Sequence, residues 1–315
     1  MTTQIAPPHR LALVGILSAV GGSLVFSVND VSIKFLSGSY ALHEVVLIRS
    51  SVGLMIMLCV VLPFHGGLPA LRTQRLPMHL MRALFVVCSN LFYFLGLAAM
   101  PLADAVAIFF IAPLLITALS VPLLGEKVGI RRWIAVGVGL LGVIVMMRPG
   151  QSGFHWAALL PVLSALFYAM MHMMTRRMGP SEKAVTMAFY VQLTFIVVCL
   201  GMGFTVGDGH LAAQSDPSLA FLFRGWTWPH LGDWPIFLAS GAASAIGGFL
   251  IAQAYRLCEA GLVAPFEYAS MPLAIFWGAT VFGTWPDLHA WIGIALICGG
   301  GLYMFWREAV SRSRT

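Results

Sequence analysis

Ionisable side chains occur within long apolar stretches of this sequence, where they could bind a solute or carry a proton. In the first stretch, Ser23, Ser27, Asp30 and Lys34 recur at helical spacing and therefore share one helix face. Asp30 and Lys34 are one turn apart and can form an ion pair. This region predicts an external gate or a coupling-ion site, or alternatively a structural ion-pair cluster that ties two helices together. The residues concerned are Asn29, Asp30, Lys34, His43, Glu44 and Arg49.

A second set of polar and aromatic residues, on later apolar stretches, could bind a substrate. Asn90 and Tyr93 share a helix face, and Tyr168 and His172 are one turn apart. An asparagine amide can bind an ammonium or a carboxylate, but it can equally bridge two helices. The candidate substrate-binding residues are Asn90, Tyr93, Tyr168, His172, Gln253, Glu267 and Tyr268.

Glu267 is the deepest lone carboxyl group in the second half of the chain. It is our leading candidate for proton coupling or amine recognition, and a structural pairing with Gln253 is the alternative. Pro272 follows five residues later, and its missing N–H leaves a backbone carbonyl free. We expect Pro272 and its counterpart Pro113 to kink their helices.

The composition indicates a membrane protein. Of 315 residues, 59% are hydrophobic and 10% are charged, against about 25% charged in soluble domains. The apolar stretches predict an all-α integral membrane fold of ten transmembrane helices around a central cavity. We place them at about 11–36, 42–63, 78–99, 102–124, 132–148, 154–176, 183–205, 234–256, 262–284 and 287–306.

Basic residues predict the orientation of these helices. Fourteen of the 18 Lys and Arg residues, Arg82 among them, fall at one set of helix ends, and two fall in the opposite loops. This bias predicts that both termini are cytoplasmic in a bacterial inner membrane. The longest loop, about 206–233, is then external, and we expect its 221–228 stretch to lie at the membrane interface.

The two halves of the chain resemble each other. Pro113 aligns with Pro272, and Trp133 aligns with Trp291. Small residues then coincide: Ala135 with Gly293, Gly137 with Ala295, and Gly142 with Gly300. Five helices per half reverse the second copy in the membrane. We therefore predict two inverted five-helix repeats, at 1–149 and 150–315.

At this point the sequence resembles the drug/metabolite transporter superfamily, in its ten-helix EamA type. The resemblance rests on Ala41, Leu42, His43, Glu44 and Arg49, on the 90–127 run with its proline, and on its terminal Gly125 and Glu126. The second half departs from the pattern, with Gly283, Thr284 and Trp285. The resemblance implies export of amino acids and related metabolites, and we favour neutral or aromatic amino acids.

Motifs for other functions are absent from the sequence. It has no phosphate-binding GxxxxGK[ST] loop, no HExxH zinc motif and no GxSxG motif. The five cysteines form no CxxC pair. We expect a secondary transporter, not an enzyme, with a small-molecule substrate, a lipid bilayer around it and protons as a candidate coupling ion. We expect no cofactor, metal or nucleic acid. Alternatives are an exporter of drugs or quaternary amines, a membrane enzyme using the Asp30–Glu44 region, and a channel.

Overall fold

The computed structural model describes residues 9–125, 129–147, 156–178, 182–257, 263 and 266–312. Within these ranges the chain is helical and contains no strand. Glu126 of the predicted Gly-Glu motif and Cys258 lie outside the described residues. The α-helices are α1 His9–Leu36, α2 Leu42–Ile56, α3 Leu76–Ala99, α4 Leu102–Phe109, α5 Ala112–Leu124, α6 Ile130–Met147, α7 Leu159–Met178, α8 Ala184–Val206, α9 Pro217–Phe223, α10 Trp234–Leu257, α11 Ser270–Phe282 and α12 Leu288–Arg312.

Six helical stretches of the described chain are long and apolar enough to cross a membrane. A bilayer core about 30 Å thick needs about 20 helical residues. These stretches are Leu13–Leu36, Leu42–Val61, Leu76–Ala99, Leu102–Leu123, Ala184–Val206 and Leu231–Tyr255. Four shorter apolar helices accompany them, at Trp133–Met147, Leu159–Thr175, Ser270–Phe282 and Leu288–Tyr303. The chain is therefore a multi-pass membrane protein.

Helices from the two halves of the chain pack against each other. The most extensive pairings are α1 with α10, α6 with α12, and α3 with α7. Where α6 crosses α12, a Cβ on Gly142 would lie 3.0 Å from the Gly293 carbonyl oxygen, and a Cβ on Gly293 would lie 3.0 Å from that of Gly142. The predicted close approach through small residues is confirmed at Gly142. Gly137, from the same predicted set, has no such neighbour within 4 Å.

The predicted fourth helix is broken. It ends as α4 at Phe109 and resumes as α5 at Ala112, so Pro113 is the second residue of α5. A proline fits there because the first N–H groups of a helix lack intrahelical partners. Pro272 likewise lies in the first turn of α11, which follows a turn at Tyr268. Both prolines thus begin a helix after a break, whereas we expected them to kink a continuous helix.

The long 206–233 loop contains the short helix α9, which docks on the end of α3. Asp216 caps α9, because its side chain accepts a hydrogen bond from the Ser218 amide at 2.9 Å. The Ser218 hydroxyl donates to the Leu95 carbonyl oxygen, also at 2.9 Å. Phe221 is fully buried. The first residue of the 221–228 stretch therefore packs inside the protein.

Candidate functional site

Two adjoining cavities lie inside the helix bundle, with volumes of about 130 and 140 Å³. Their linings share Phe26, Ser89, Asn90, Tyr168 and Ile251. We call the pair the central chamber, because the shared residues make the two cavities direct neighbours. The two cavities differ in the charged residues that line them, and this difference determines which chemical groups each cavity can bind.

The first cavity, here called the carboxyl lobe, contains Asp30 and Glu267. The Tyr93 hydroxyl donates to Asp30 Oδ2 at 2.9 Å. The Tyr168 hydroxyl donates to Glu267 Oε2 at 3.3 Å, and the Tyr255 hydroxyl donates to Oε1. Phenol donors stabilise a carboxylate without neutralising it. This lobe can therefore accept an ammonium group or a proton.

The second cavity, here called the guanidinium lobe, is lined by Arg49 and Arg82. Arg49 is only 2% exposed. Its guanidinium carbon lies 5.1 Å from the centre of the Phe94 ring and 5.0 Å from that of Phe195. Its Nη1 donates to Asn29 Oδ1 at 3.3 Å. The two rings and the amide fix the orientation of the Arg49 guanidinium.

Arg82 projects from the first part of α3 and is also buried. Its Nε donates to the Thr175 hydroxyl on α7 at 2.8 Å. In the sequence we counted Arg82 among the basic residues at one set of helix ends, and the structure adds that its side chain is buried between α3 and α7. A membrane-embedded arginine is costly unless it has a partner or a function.

A row of aromatic rings connects the two lobes. Successive ring centres are 5.0 Å apart from Tyr93 to Phe109, 5.2 Å from Phe109 to Tyr168, 4.5 Å from Tyr168 to His172 and 4.3 Å from His172 to Tyr255. Tyr93 and Phe109 line the carboxyl lobe, and His172 and Tyr255 line the guanidinium lobe. Neighbouring rings are inclined by 51–75°, so the row offers separate ring faces and edges to an apolar or planar group of a solute.

The structure brings eight of the predicted residues to the chamber lining. They come from four separate helices and from the residues just before α11. These eight are Asn29, Asp30, Arg49, Asn90, Tyr93, Tyr168, His172 and Glu267.

Lys34 does not pair with Asp30, although their spacing allows it. The Lys34 ammonium donates to the carbonyl oxygens of Leu97 and Met100, each at 2.7 Å. These carbonyls end α3, where no intrahelical donor follows. Lys34 therefore caps α3 and ties it to α1.

His43 and Glu44 contact the 206–233 loop and are absent from the chamber lining. The Thr227 amide donates to Glu44 Oε2 at 3.2 Å, and the His43 ring stacks on Trp226 with centres 5.6 Å apart. The predicted gate residues are thus divided between the chamber, the α3 cap and the loop.

Tyr268 and Gln253 are also absent from the lining of the two cavities. The Tyr268 hydroxyl donates to the Phe110 carbonyl oxygen at 3.3 Å, and the two rings meet edge to face at 4.8 Å. Tyr268 therefore joins the break before α11 to the break between α4 and α5. Among the described residues, Glu267 accepts hydrogen bonds from the two tyrosine hydroxyls, and not from Gln253, the alternative structural partner.

Sequence reasoning missed Arg82 and Tyr255. Arg82 has a detectable signal, because it precedes Ser89 by seven residues and Tyr93 by eleven, which places all three on one face of α3. Its nearness to the helix start concealed that signal. Tyr255 gives no such signal, because only the folded chain places its hydroxyl against Glu267.

The EamA-like transporter family matches residues 13–148. The chain is 28% identical to a riboflavin transporter of Rhizobium johnstonii over 308 residues, covering 97% of this chain and 95% of that protein. It is 24% identical to an S-adenosylmethionine uptake transporter of Rickettsia prowazekii, covering 91% and 90%. It is 26% identical to the pseudopaline exporter CntI of Pseudomonas aeruginosa, covering 95% and 96%.

A solved structure matches the fold over nearly the whole chain. Its TM-score is 0.63, with 20% sequence identity, and the match covers 97% of this chain and 98% of the other. This likeness concerns the fold alone. Amino-acid export, the narrower expectation from the sequence, has no support in the names of the relatives reported above.

Proposed function

Because this chain is a membrane transporter of the drug/metabolite transporter family, with an EamA-like domain at residues 13–148, we propose that it moves a small amphipathic metabolite by alternating access. The observation that carries the proposal is the central chamber. It combines buried carboxyl groups, buried guanidinium groups and a row of rings within one helix bundle. A solute with a planar part and polar ends would complement this lining.

The helix pairings support ten spans in two inverted repeats. In the predicted repeat, α1 corresponds to α7, α3 to α10, and α6 to α12. The repeat therefore relates the α1–α10 pairing to the α7–α3 pairing, and it relates the α6–α12 pairing to itself. The glycine contacts agree: the repeat equates Ala135 with Gly293 and Gly142 with Gly300. The observed Gly142–Gly293 contact is then equivalent to the Gly300 contact with the Ala135 carbonyl oxygen.

Alternating access follows from this symmetry. Two similar bundles around a central site can rock so that each side of the membrane reaches the site in turn. The breaks beside Phe110 and Tyr268 lie in equivalent helices, and each interrupts the backbone hydrogen bonding near the chamber. Glu267 is the candidate for proton coupling, since its carboxyl group lies in the chamber between two phenol donors.

Neutral or aromatic amino acids, exported from the cytoplasm, are our first substrate proposal. Their ammonium group suits the carboxyl lobe and their side chain suits the aromatic row. We propose with it the orientation predicted from the basic residues, in which both termini are cytoplasmic.

Riboflavin is the second candidate, favoured by the riboflavin transporters among the relatives of the chain. A flavin ring system is planar and can stack on Phe109 or on Tyr168, whose rings meet edge to face. The two candidates differ in their charged groups, because riboflavin has neither the ammonium nor the carboxylate of an amino acid, and the same assay can therefore separate them.

Flux into proteoliposomes tests the proposed function. We would measure labelled L-tryptophan and labelled riboflavin, with and without an imposed proton gradient, against unlabelled neutral, basic and cationic amphiphilic competitors. We expect saturable flux of one labelled solute and competition by its close analogues. Linear flux at all concentrations would favour a channel, and inhibition by cationic amphiphiles alone would favour a drug exporter.

Two matched substitutions locate the flux in the chamber. Phe109→Ala removes a ring from the aromatic row, whereas Phe204→Ala removes a ring that is 88% exposed on α8. Aromatic contacts contribute about 0.5–1.5 kcal/mol, so we expect KM to rise roughly three- to tenfold for Phe109→Ala. The Phe204→Ala variant should match the wild type. Equal effects of both changes, or no flux of any solute, would contradict the proposal.

A further inference from the structure

Arg49 and Arg82 face the chamber without an anionic partner. Among the described residues, neither guanidinium forms an ion pair with a carboxylate. Asp30 is kept apart from Arg49 by an amide, because Asn29 accepts from Arg49 and donates to Asp30 Oδ1 at 3.2 Å. Asp30 therefore contacts Arg49 only through this amide, and two nitrogens of Arg49 have no acceptor in the described part of the chain. A buried cation with unsatisfied donors is costly, so an anion that contacted them would bind strongly.

The unpartnered atoms of Arg49 have a specific geometry. Nε and Nη2 are both buried and have no hydrogen-bond partner in the described structure. These two nitrogens form one edge of the guanidinium, and that edge can bind both oxygens of a carboxylate. The Phe94 and Phe195 rings cover the faces of the group, and Asn29 holds the remaining Nη1. Only the carboxylate-binding edge is left without a partner.

Arg82 adds a second donor group to the same cavity. Thr175 holds its Nε, and the described structure gives its two terminal nitrogens no other hydrogen-bond partner. Both guanidiniums line one cavity, so an anion there would experience two buried positive charges and could accept charge-assisted hydrogen bonds from the guanidinium it contacts. The carboxyl lobe lies across the shared residues of the chamber, so a positive group of the same solute can lie there.

We propose that the guanidinium lobe, through Arg82 and the free edge of Arg49, binds the carboxylate of the transported solute. This inference rests on the proposed function, and it narrows the substrate class to metabolites that carry a carboxylate beside an apolar or planar part. It predicts that a neutral analogue of the true solute binds weakly, even when its planar part is unchanged.

The proposal is tested by measuring the affinities of matched ligand pairs for the purified protein in lipid nanodiscs. The first pair is L-tryptophan and L-tryptophanamide, which differ by the carboxylate. The second pair is riboflavin and riboflavin 5′-phosphate, which tests whether a phosphate replaces the carboxylate. Charge-assisted hydrogen bonds imply that L-tryptophan binds roughly tenfold or more tightly than its amide. Equal affinity within the first pair, no binding of L-tryptophan, or a preference confined to the phosphate pair would overturn the proposal.

Variants of Arg82 test whether the preference for L-tryptophan over its amide arises in the guanidinium lobe. Arg82→Gln should reduce the L-tryptophan preference to about threefold or less, and Arg82→Lys should retain part of it. Arg72→Gln makes the same change at an exposed position and should leave the preference intact. Loss of affinity for both members of the pair in equal proportion would indicate a merely structural role for Arg82. The wild-type comparison remains decisive if the Arg82→Gln variant does not fold.

Measuring both flux and binding distinguishes a failure of this inference from a failure of the proposed function. Carboxylate-selective binding without any flux would refute transport and support the lobe as an anion site. Flux of solutes regardless of their carboxylate would support transport and refute the anion site.

Discussion

Replacing Gly142 with alanine is expected to destabilise the protein, because α6 meets α12 at this residue. The added Cβ would lie 2.8 Å from Ile297 Cγ1, 3.0 Å from the Gly293 carbonyl oxygen and 3.0 Å from Leu296 Cβ. The last two atoms are backbone or the first side-chain atom, and they cannot rotate away. Extra atoms in a packed core cost about 1–3 kcal/mol. We expect the free energy of unfolding to fall by that cost less the roughly 0.5–1 kcal/mol that alanine gains over glycine in a helix.

Gly137 provides the matched control on the same helix. It is exposed, and a Cβ there meets nothing within 4 Å. Alanine in place of a helical glycine stabilises by about 0.5–1 kcal/mol, since less backbone freedom is lost on folding. The same gain applies to alanine at position 142, so the two variants should differ by the overpacking cost alone, about 1–3 kcal/mol in the free energy of unfolding.

Thermal and denaturant unfolding of the two purified variants, followed by tryptophan fluorescence, measures this difference. Gly142→Ala should unfold at a lower temperature than the wild type, and Gly137→Ala should not. If Gly142→Ala were as stable as Gly137→Ala, then α6 and α12 would not approach each other as closely as described.

Three further changes test single side chains. Lys34→Met removes the cap on α3 and should lower the free energy of unfolding by about 1.5–3 kcal/mol, measured by denaturant unfolding; unchanged stability would contradict the cap. Glu267→Gln should abolish the response of flux to a proton gradient, whereas Tyr168→Phe, which keeps the carboxyl group, should retain it; an intact response in Glu267→Gln would exclude Glu267 from coupling. Tyr268→Phe should weaken the joint to Phe110 by about 1 kcal/mol, so that amide hydrogen exchange at both helix breaks rises roughly fivefold; unaltered exchange would mean that the hydroxyl contributes little.

Hydropathy and helical spacing predicted much of this architecture. The second predicted helix, 42–63, corresponds to α2 and to the π turn that continues it to Val61. Spacing also placed Asn90 with Tyr93, and Tyr168 with His172, at the chamber. Both results follow because a bilayer fixes helix length and a helix fixes which residues share a face.

Contacts between helices that are far apart along the chain could not be predicted from the sequence. Lys34 is one turn from Asp30, yet its ammonium meets the end of α3, which lies 63 and 66 residues away in the chain. We counted Arg82 only as a charge at a helix end, because basic residues there usually remain at the membrane surface. Its contact with Thr175 depends on the packing of α3 against α7, which no local pattern reports.

The pairing of helices across the two halves has a consequence for biosynthesis. When residues 1–149 have left the ribosome, α1, α3 and α6 have not yet met α10, α7 and α12. Synthesis of the remaining half takes roughly 10–30 s at typical rates, and the partner of α6 is completed last. During that interval the glycine-lined face of α6 is open to lipid or to the membrane insertion machinery. During synthesis of the second half, the first half therefore lacks its packing partners. If the two halves are made as separate chains, we expect function only when they are synthesised together.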